Sequence, residues 1–173
     1  MKKLFPFALL LFAFMLVSSC APQLQKTDHA RNISDANKLL DNFHQYSADS
    51  DFQKYFDLFA EQSTFIGTDA SEVWNKAEFM AYSKPHFDRG KAWTFTSVQR
   101  NFQQSDDGKF IWFDELLSTQ MKLCRGSGVL EKIGSEWKIR QYVLSMTVPN
   151  EVTREVVQAK TSIEEQYLKK LQK

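Results

Sequence analysis

The sequence has few cysteines, few histidines and no excess of either charge. Its 173 residues include two cysteines and three histidines, and 22 basic residues face 21 acidic ones. A chain without a basic surplus lacks the field that attracts nucleic acid, so we expect no nucleic-acid partner. No His-Glu-x-x-His, Cys-x-x-Cys, Walker or dinucleotide glycine pattern occurs, and we expect no metal and no cofactor. His44 is expected at the edge of a buried helix face.

The N-terminus has the pattern of a secretory signal peptide. Two lysines precede an uncharged apolar run from Leu4 to Val17. This run is shorter than the roughly 20 apolar residues that a membrane-spanning helix needs. A basic start, an apolar middle and small residues at the end therefore predict a signal peptide over residues 1–19.

The letters VSSC, which end at Cys20, resemble a bacterial lipobox. The resemblance implies that Cys20 carries acyl chains such as palmitate, and more than one chain makes membrane attachment stable. An ordinary signal peptide with an incidental cysteine is the alternative. Ala21 rather than aspartate follows, which resembles an outer-membrane destination. We therefore expect a protein anchored in the bacterial cell envelope, facing the periplasm, with a polar tether over residues 20–32.

Helical spacing characterises the first half of the mature chain. The segment ISDANKLLDNFHQYSA predicts a helix capped by Ser34, and DSDFQKYFDLFAEQ predicts a second helix. STFIG reads as a short strand, and NKAEFMAYSKPHF as a third helix that Pro85 closes.

After Gly90 the period changes to that of β-strands. Four long segments rich in aromatic and β-branched residues are separated by short polar turns such as SDDG and IGSE. Helices followed by four antiparallel strands predict an α+β fold with the helices on one sheet face. The segment 151–173 predicts an amphipathic helix, which we expect to dock on its own domain or, as the second possibility, to pair with a partner helix.

Several fragments resemble the SnoaL-like branch of the nuclear transport factor 2-like superfamily. They are FIGTDASEVW, F..Y..P.F..G..W, WFDE, GSGVLEK....WKI and LSMTVPN, and together they cover roughly residues 33–150. The resemblance implies a cone, the cystatin-like arrangement, in which a curved sheet wraps around helices and one open end leads to a cavity. The glycines of RGSGV lie in mid-strand, where glycine often marks a bulge or a bend.

The stretch TFIGTDASEVW contains a glycine, an aspartate and a tryptophan within a few positions. A catalytic loop and a structural corner both fit this pattern, and we favour the corner because aspartate beside glycine is common in turns. Gly67 is expected to supply an unusual backbone conformation, Asp69 to cap the turn, and Trp74 to close the wide end of the cone.

Two neighbouring carboxylates are the candidate catalytic residues. In FIWFDELLS, strand alternation places Asp114 on one face and Glu115 on the other, among apolar neighbours. A carboxylate in an apolar cavity has a raised pKa and can act as a general acid or base, as the resemblance to ketosteroid isomerases and dehydratases implies. The alternative is a carboxylate that is hydrogen-bonded or exposed and takes no part in chemistry.

The last strand and several aromatic residues supply the expected ligand contacts. Alternation from Trp137 places Gln141 and Ser145 on one face of WKIRQYVLS. Related sequences often have histidine at the positions of Gln141 and Val143, so the expected cavity lacks an imidazole, which favours binding over catalysis. The predicted ligand contacts are Tyr82, Trp93, Trp112, Met121, Gln141 and Ser145.

Three functional hypotheses follow from these observations. We favour a lipid-anchored, non-catalytic module over residues 33–150 that binds a small hydrophobic ligand or a protein partner. A cofactor-independent lyase or isomerase that uses Asp114 or Glu115 is the second. An interaction protein with a closed cone is the third, and the resemblance implies a homodimer formed through the outer sheet face.

Overall fold

The structure is a computed structural model that describes residues 21–172, with side chains from residue 28 onwards. The predicted signal peptide and the predicted lipidation site, Cys20, lie outside the described residues. Within the described range, no helix has the length and apolar character needed to span a bilayer.

Two helices come first, two strands and a third helix follow, and four consecutive strands precede the last helix. The helices are α1 (Ala21–Ala48), α2 (Phe52–Asp57), α3 (Lys76–Asp88) and α4 (Thr153–Leu171). The strands are β1 (Phe59–Ile66), β2 (Val73–Asn75), β3 (Thr96–Gln104), β4 (Phe110–Thr119), β5 (Lys122–Ile133) and β6 (Glu136–Met146). A short 3₁₀ turn, Asn150–Val152, precedes α4.

The strands form one curved mixed sheet in the order β2-β1-β6-β5-β4-β3. Strands β3 to β6 pair antiparallel with their sequence neighbours, as predicted. The sheet is larger than expected, because β1 runs parallel beside β6 and β2 folds back on β1. The α+β fold with a curved sheet and N-terminal helices is confirmed.

Three helices differ from the sequence expectation. Helix α2 ends at Asp57, because the predicted helical residues from Phe59 onwards belong to strand β1. Ser34 is not a cap, because α1 begins at Ala21 and continues to Ala48. No glycine or proline follows Pro22 before the end of α1, so nothing interrupts the helix near Ser34. Much of the expected tether is therefore helical. Helix α3 also continues through Pro85 to Asp88, because a proline this close to the end removes only one helical hydrogen bond.

The core lies between the sheet and helices α1 to α3, and aromatic rings fill most of it. Phe43 from α1 stacks on Tyr55 from α2 at 4.7 Å between ring centroids, and Phe65 from β1 stacks on Phe79 from α3 at 3.9 Å. Burial of such a side chain stabilises the fold by about 1.5–3 kcal/mol. Phe43 also contacts Tyr142 of β6, and Tyr55 contacts Phe59 of β1, so ring contacts attach α1, α2 and α3 to the sheet.

Helix α4 does not dock on the domain, so the first expectation for it is wrong. It has no buried residue, and its contact with the domain is made by Tyr167, whose hydroxyl lies 3.5 Å from the Ala70 carbonyl oxygen. The inner sheet face is already covered by α1, α2 and α3. The apolar side chains of α4, including Ile163 and Leu168, are consequently exposed.

Candidate functional site

Strand β4 separates the two candidate carboxylates as its alternation predicts. Glu115 points to the inner face and is 0% exposed, between the buried side chains of Phe113 and Leu117. Asp114 points outward, where its Oδ1 accepts a hydrogen bond from Arg125 at 3.1 Å. Of the two, only Glu115 lies inside the cone.

Four side-chain contacts occupy both oxygens of Glu115. Its Oε1 accepts hydrogen bonds from the Tyr142 hydroxyl at 2.8 Å and from Nε2 of His44 at 2.9 Å. Its Oε2 accepts from Nε of Arg100 at 2.9 Å, and Nη2 of Arg100 lies 2.8 Å away. We refer to Glu115, His44, Arg100 and Tyr142 as the Glu115 cluster.

The Glu115 cluster joins α1 to the sheet. His44 comes from α1, Arg100 from β3 and Tyr142 from β6. Nη1 of Arg100 also donates to Asp41 and Asn37 of α1, at 2.8 Å to each side-chain oxygen. A single ionic network therefore connects one helix with three strands.

The Glu115 cluster also decides the ionisation of its members. Burial raises the pKa of Glu115, but the hydrogen bond and charge of His44, together with the charge of Arg100, outweigh burial and lower the pKa below its ordinary value. The raised pKa expected for a general acid is therefore absent. Burial and the neighbouring Glu115 raise the pKa of Tyr142 far above its usual range, which keeps its hydroxyl protonated as a donor.

Tyr142 was missed by the sequence analysis because β6 contains a bulge. Ile139 pairs with Leu130 and Gln141 pairs with Val129, so Arg140 is an extra residue between two consecutive pairs. An extra residue reverses the alternation of everything that follows it.

Two residues predicted to contact a ligand lie outside the cone for the same reason. Tyr142 and Leu144 point inward and are buried, whereas Gln141 and Ser145 point to the outer face. The glycine pair in β5 was the available signal for the bulge. A Cβ at Gly128 would lie 2.1 Å from the carbonyl oxygen of Gln141, where the bulged strand approaches.

Gly126, the other glycine of the pair, makes room for the Glu115 cluster. A Cβ at this position would lie 2.3 Å from the Tyr142 hydroxyl and 2.9 Å from Cγ of Glu115. Any larger residue would separate donor from acceptor.

A cavity of about 170 Å³ lies beside the Glu115 cluster, and none of the cluster residues lines it. It is enclosed by the β1–β2 corner, α3, the segment before β3 and the β4–β5 turn. The lining residues are Phe65, Gly67, Thr68, Glu72, Trp74, Phe79, Tyr82, Trp93, Phe95, Gln120, Met121 and Leu144. We refer to this space as the aromatic cavity.

The predicted ligand contacts divide between the aromatic cavity and the outer sheet face. Tyr82, Trp93 and Met121 line the cavity. Trp112 does not, because alternation in β4 turns it outward, where it is 45% exposed and donates from Nε1 to Gln103 at 3.0 Å. Trp74 also lines the cavity and stacks on Tyr82 at 4.5 Å between ring centroids.

The corner between β1 and β2 is structural, and it also contributes to the cavity wall. Asp69 caps the turn, as predicted, by accepting from the Ser71 backbone N–H at 2.9 Å. Gly67 does not adopt a positive φ, so the expected reason for this glycine is wrong. Its lack of a Cβ matters instead, because a Cβ would lie 2.2 Å from Oε2 of Glu72.

No cluster of histidine, cysteine or carboxylate side chains that could hold a metal ion is present within residues 28–172. A second hollow, of about 820 Å³, lies between α1 and the β3–β4 and β5–β6 turns and is lined mainly by polar residues, among them Asp106, Asp107 and Lys132.

A curved sheet with helices on its inner face and a cavity at one end defines the nuclear transport factor 2-like class of proteins. The chain belongs to the SnoaL-like domain family, whose model matches residues 36–149. No curated protein matches the chain.

Solved structures share the fold at low sequence identity. An NTF2-like protein of unknown function from Pseudomonas putida KT2440 is 13% identical, with 69% of this chain and 89% of that chain covered and a TM-score of 0.57. A candidate scytalone dehydratase from Novosphingobium aromaticivorans is 6% identical, with 71% of this chain and 89% of that chain covered and a TM-score of 0.60. A candidate dehydratase of the NTF2-like family from Streptomyces avermitilis is 11% identical, with 69% of this chain and 99% of that chain covered and a TM-score of 0.59. Identities this low establish the fold alone.

Proposed function

We propose that this protein is a lipid-anchored envelope protein whose SnoaL-like domain binds a small, largely apolar ligand in the aromatic cavity without acting on it chemically. Pockets for drug-sized molecules measure about 300–1,000 Å³. The aromatic cavity, at about 170 Å³, suits a smaller ligand.

The observation that carries this proposal is the separation of the buried carboxylate from the cavity. Glu115 has four contacts to its own chain and does not line the aromatic cavity. A general acid or base must lie within hydrogen-bond reach of the substrate atom that it serves. Half of the residues that do line the cavity are aromatic, and their rings favour retention of an apolar ligand.

Native mass spectrometry of the full-length protein, purified from its own host, tests this function. We expect an additional mass that is lost on denaturation. Met121→Trp places an indole in the cavity and should remove the additional mass, whereas Met146→Trp, at an exposed position outside the cavity lining, should retain it. A ligand retained equally by both variants would mean that it binds elsewhere.

A second candidate function is a cofactor-independent dehydratase or isomerase reaction. It is favoured by the contact of Glu115 with an imidazole and a phenol, two groups that can transfer protons. Two of the solved structures with this fold are candidate dehydratases. Phe65 lies between the cavity and Tyr142, on which it stacks at 5.7 Å, so a substrate would have to displace this ring.

Turnover of an envelope metabolite mixture distinguishes the two candidate functions. Turnover that is lost in Glu115→Gln and retained in Asp114→Asn would favour the enzyme. Asp114→Asn controls for the change of charge, because it removes the same charge on the outer face. Circular dichroism at the assay temperature must show that Glu115→Gln is still folded, since this substitution also removes buried contacts.

The proposed location depends on Cys20. Metabolic labelling with an alkyne-tagged palmitate should modify the wild-type protein and leave Cys20→Ser unmodified. Fractionation of the two membranes then tests the outer-membrane assignment. Labelling of Cys20→Ser would contradict the lipobox assignment.

The proposed homodimer would use the outer sheet face, which exposes Trp112, Phe110 and Val98. Light scattering should give a mass twice that of the chain once the contribution of lipid is subtracted. A monomer mass that does not change with concentration would contradict the dimer.

A further inference from the structure

Among residues 28–172, Glu72 is the one charged residue that lines the aromatic cavity, and no lysine, arginine or histidine of this range lines it. Six of the lining residues are aromatic, and they are Phe65, Trp74, Phe79, Tyr82, Trp93 and Phe95. Arg89 lies outside the lining and donates to His86 at 3.2 Å. The electrostatic character of the cavity is therefore negative.

The Glu72 carboxylate has no basic partner among residues 28–172, since it takes part in none of the ion pairs formed there. Its Oε2 accepts one hydrogen bond, from the Asp69 backbone N–H at 3.1 Å. The Glu72 side chain is half-buried, and a single donor leaves most of the acceptor capacity of its carboxylate free for a ligand. A ligand that brings a positive charge would supply the missing interaction.

The β1–β2 corner holds Glu72 in place. The Gly67 N–H donates to the Glu72 carbonyl oxygen at 2.8 Å, and the Glu72 N–H donates to the Asp69 carbonyl oxygen at 3.0 Å. The side chain then lies against the bare Cα of Gly67, in space that any Cβ would fill. This arrangement fixes the carboxylate before any ligand arrives.

Aromatic rings surround the same space. A cation is attracted to the face of a tryptophan, tyrosine or phenylalanine ring within about 6 Å of its centroid, and aromatic walls combined with a carboxylate suit ammonium groups with apolar substituents. Trp74, Tyr82 and Trp93 line the cavity together with Glu72. An anionic ligand would instead meet the negative charge of Glu72 with no basic side chain in the lining to offset it.

From this combination we propose that the aromatic cavity binds a small organic cation, a quaternary or protonated amine with apolar substituents. Glu72 neutralises its charge, and the rings of Trp74, Tyr82 and Trp93 contact its alkyl groups. The proposal rests on the proposed function, since it specifies the chemical class of the ligand that the same cavity takes.

Isothermal titration of the full-length protein in lipid nanodiscs tests the proposal, with empty nanodiscs as the blank. The probes are choline and its uncharged isostere, 3,3-dimethylbutan-1-ol, which differ in charge and share nearly the same shape. We expect choline to bind about tenfold more tightly than the alcohol. Glu72→Gln should remove this preference, and Glu165→Gln, which changes the same charge on exposed α4, should retain it.

The selectivity of the wild-type protein decides the outcome even where a variant folds poorly. Trp93→Leu provides a second measurement and should weaken choline binding more than alcohol binding, because leucine has no ring face. Equal affinity of the wild-type protein for both probes would overturn the cation assignment and leave the apolar cavity of the proposed function intact. Binding of neither probe would overturn both.

Discussion

Glu115 and Glu72 are both carboxylates surrounded by aromatic residues, and the chain treats them in opposite ways. Glu115 is fully enclosed and contacts three side chains of its own domain through both oxygens. Glu72 is half-buried, accepts one backbone hydrogen bond and lines a cavity. The difference shows which acid is committed to the structure and which is available to a ligand.

Glu115 contributes to the position of α1 on the sheet. A buried ion pair gains little net stability over an apolar pair of the same volume, because desolvation offsets the attraction. The hydrogen bonds of Glu115 nevertheless form only within a narrow range of distances and angles. Arg100 reaches both Glu115 on β4 and Asp41 on α1, so the network fixes the position of the helix that forms one wall of the cone.

The largest expected effect comes from Glu115→Gln. The substitution leaves the guanidinium of Arg100, whose side chain is 6% exposed, without its buried counter-charge. Breaking a buried pair on one side costs about 3–5 kcal/mol. We expect a loss of this size in the free energy of unfolding, measured by denaturant titration.

Asp114→Asn is the control for this loss. Its carboxylate is on the outer face and its pair with Arg125 is exposed, so the expected cost is below about 1 kcal/mol. Similar losses in both variants would contradict the structural role assigned to Glu115.

Gly126→Ala is expected to have the next largest effect. The new Cβ would lie 2.3 Å from the Tyr142 hydroxyl, so Tyr142 or Glu115 must move. Overpacking of this kind costs about 1–3 kcal/mol. Thermal unfolding measures it, and Ser127→Ala, at the next position on the outer face, should be close to wild type.

Much of the fold could be predicted from local sequence. The 3.6-residue spacing of Leu39, Leu40 and Phe43 indicates the buried face of α1, and the four aromatic-rich segments after Gly90 give β3 to β6. The partners of β1 could not be predicted in this way, because a parallel pairing with β6 joins segments far apart in sequence. The undocked α4 was missed because its amphipathic pattern is the same whether or not a partner is present.

The candidate site was predicted less completely than the fold. The alternation that selected Glu115 failed beyond Arg140, where a bulge exchanged Gln141 for Tyr142. His44 was assigned to the edge of the buried face of α1. Helical spacing shows which face of the helix is buried, but it does not show that Glu115 of β4 lies opposite His44. Glu72 was seen only as part of a turn, because its place in the cavity wall depends on α3 and the β4–β5 turn.

The pH dependence of the free energy of unfolding should also show the contribution of Glu115, with a smaller effect than the substitution Glu115→Gln. The pKa of folded Glu115 lies below its ordinary value of 4.5, so its contribution is fully present above that value and is lost as the pH falls through the folded pKa. Protonation keeps the size and some hydrogen bonds of the carboxyl group, so the loss should be smaller than in Glu115→Gln. The pKa values of half-buried Asp51 and exposed Asp69 are also lowered by hydrogen bonds. The difference between wild type and Glu115→Gln below pH 4.5 therefore isolates Glu115, and parallel pH profiles would contradict this assignment.

The smallest effect on stability, and the sharpest distinction between the two acids, is expected from Gly67→Ala. The new Cβ would lie 2.2 Å from Oε2 of Glu72 and 2.9 Å from its Cβ, so the carboxylate must swing away and the corner must shift slightly, at a cost of about 1 kcal/mol. Gly134→Ala is a matched control, because its positive φ of 63° imposes a strain of similar size at a turn with open space around it. Both variants should lose similar thermal stability. Only Gly67→Ala should lose the preference for choline over 3,3-dimethylbutan-1-ol, because it alone displaces the carboxylate that is available to a ligand.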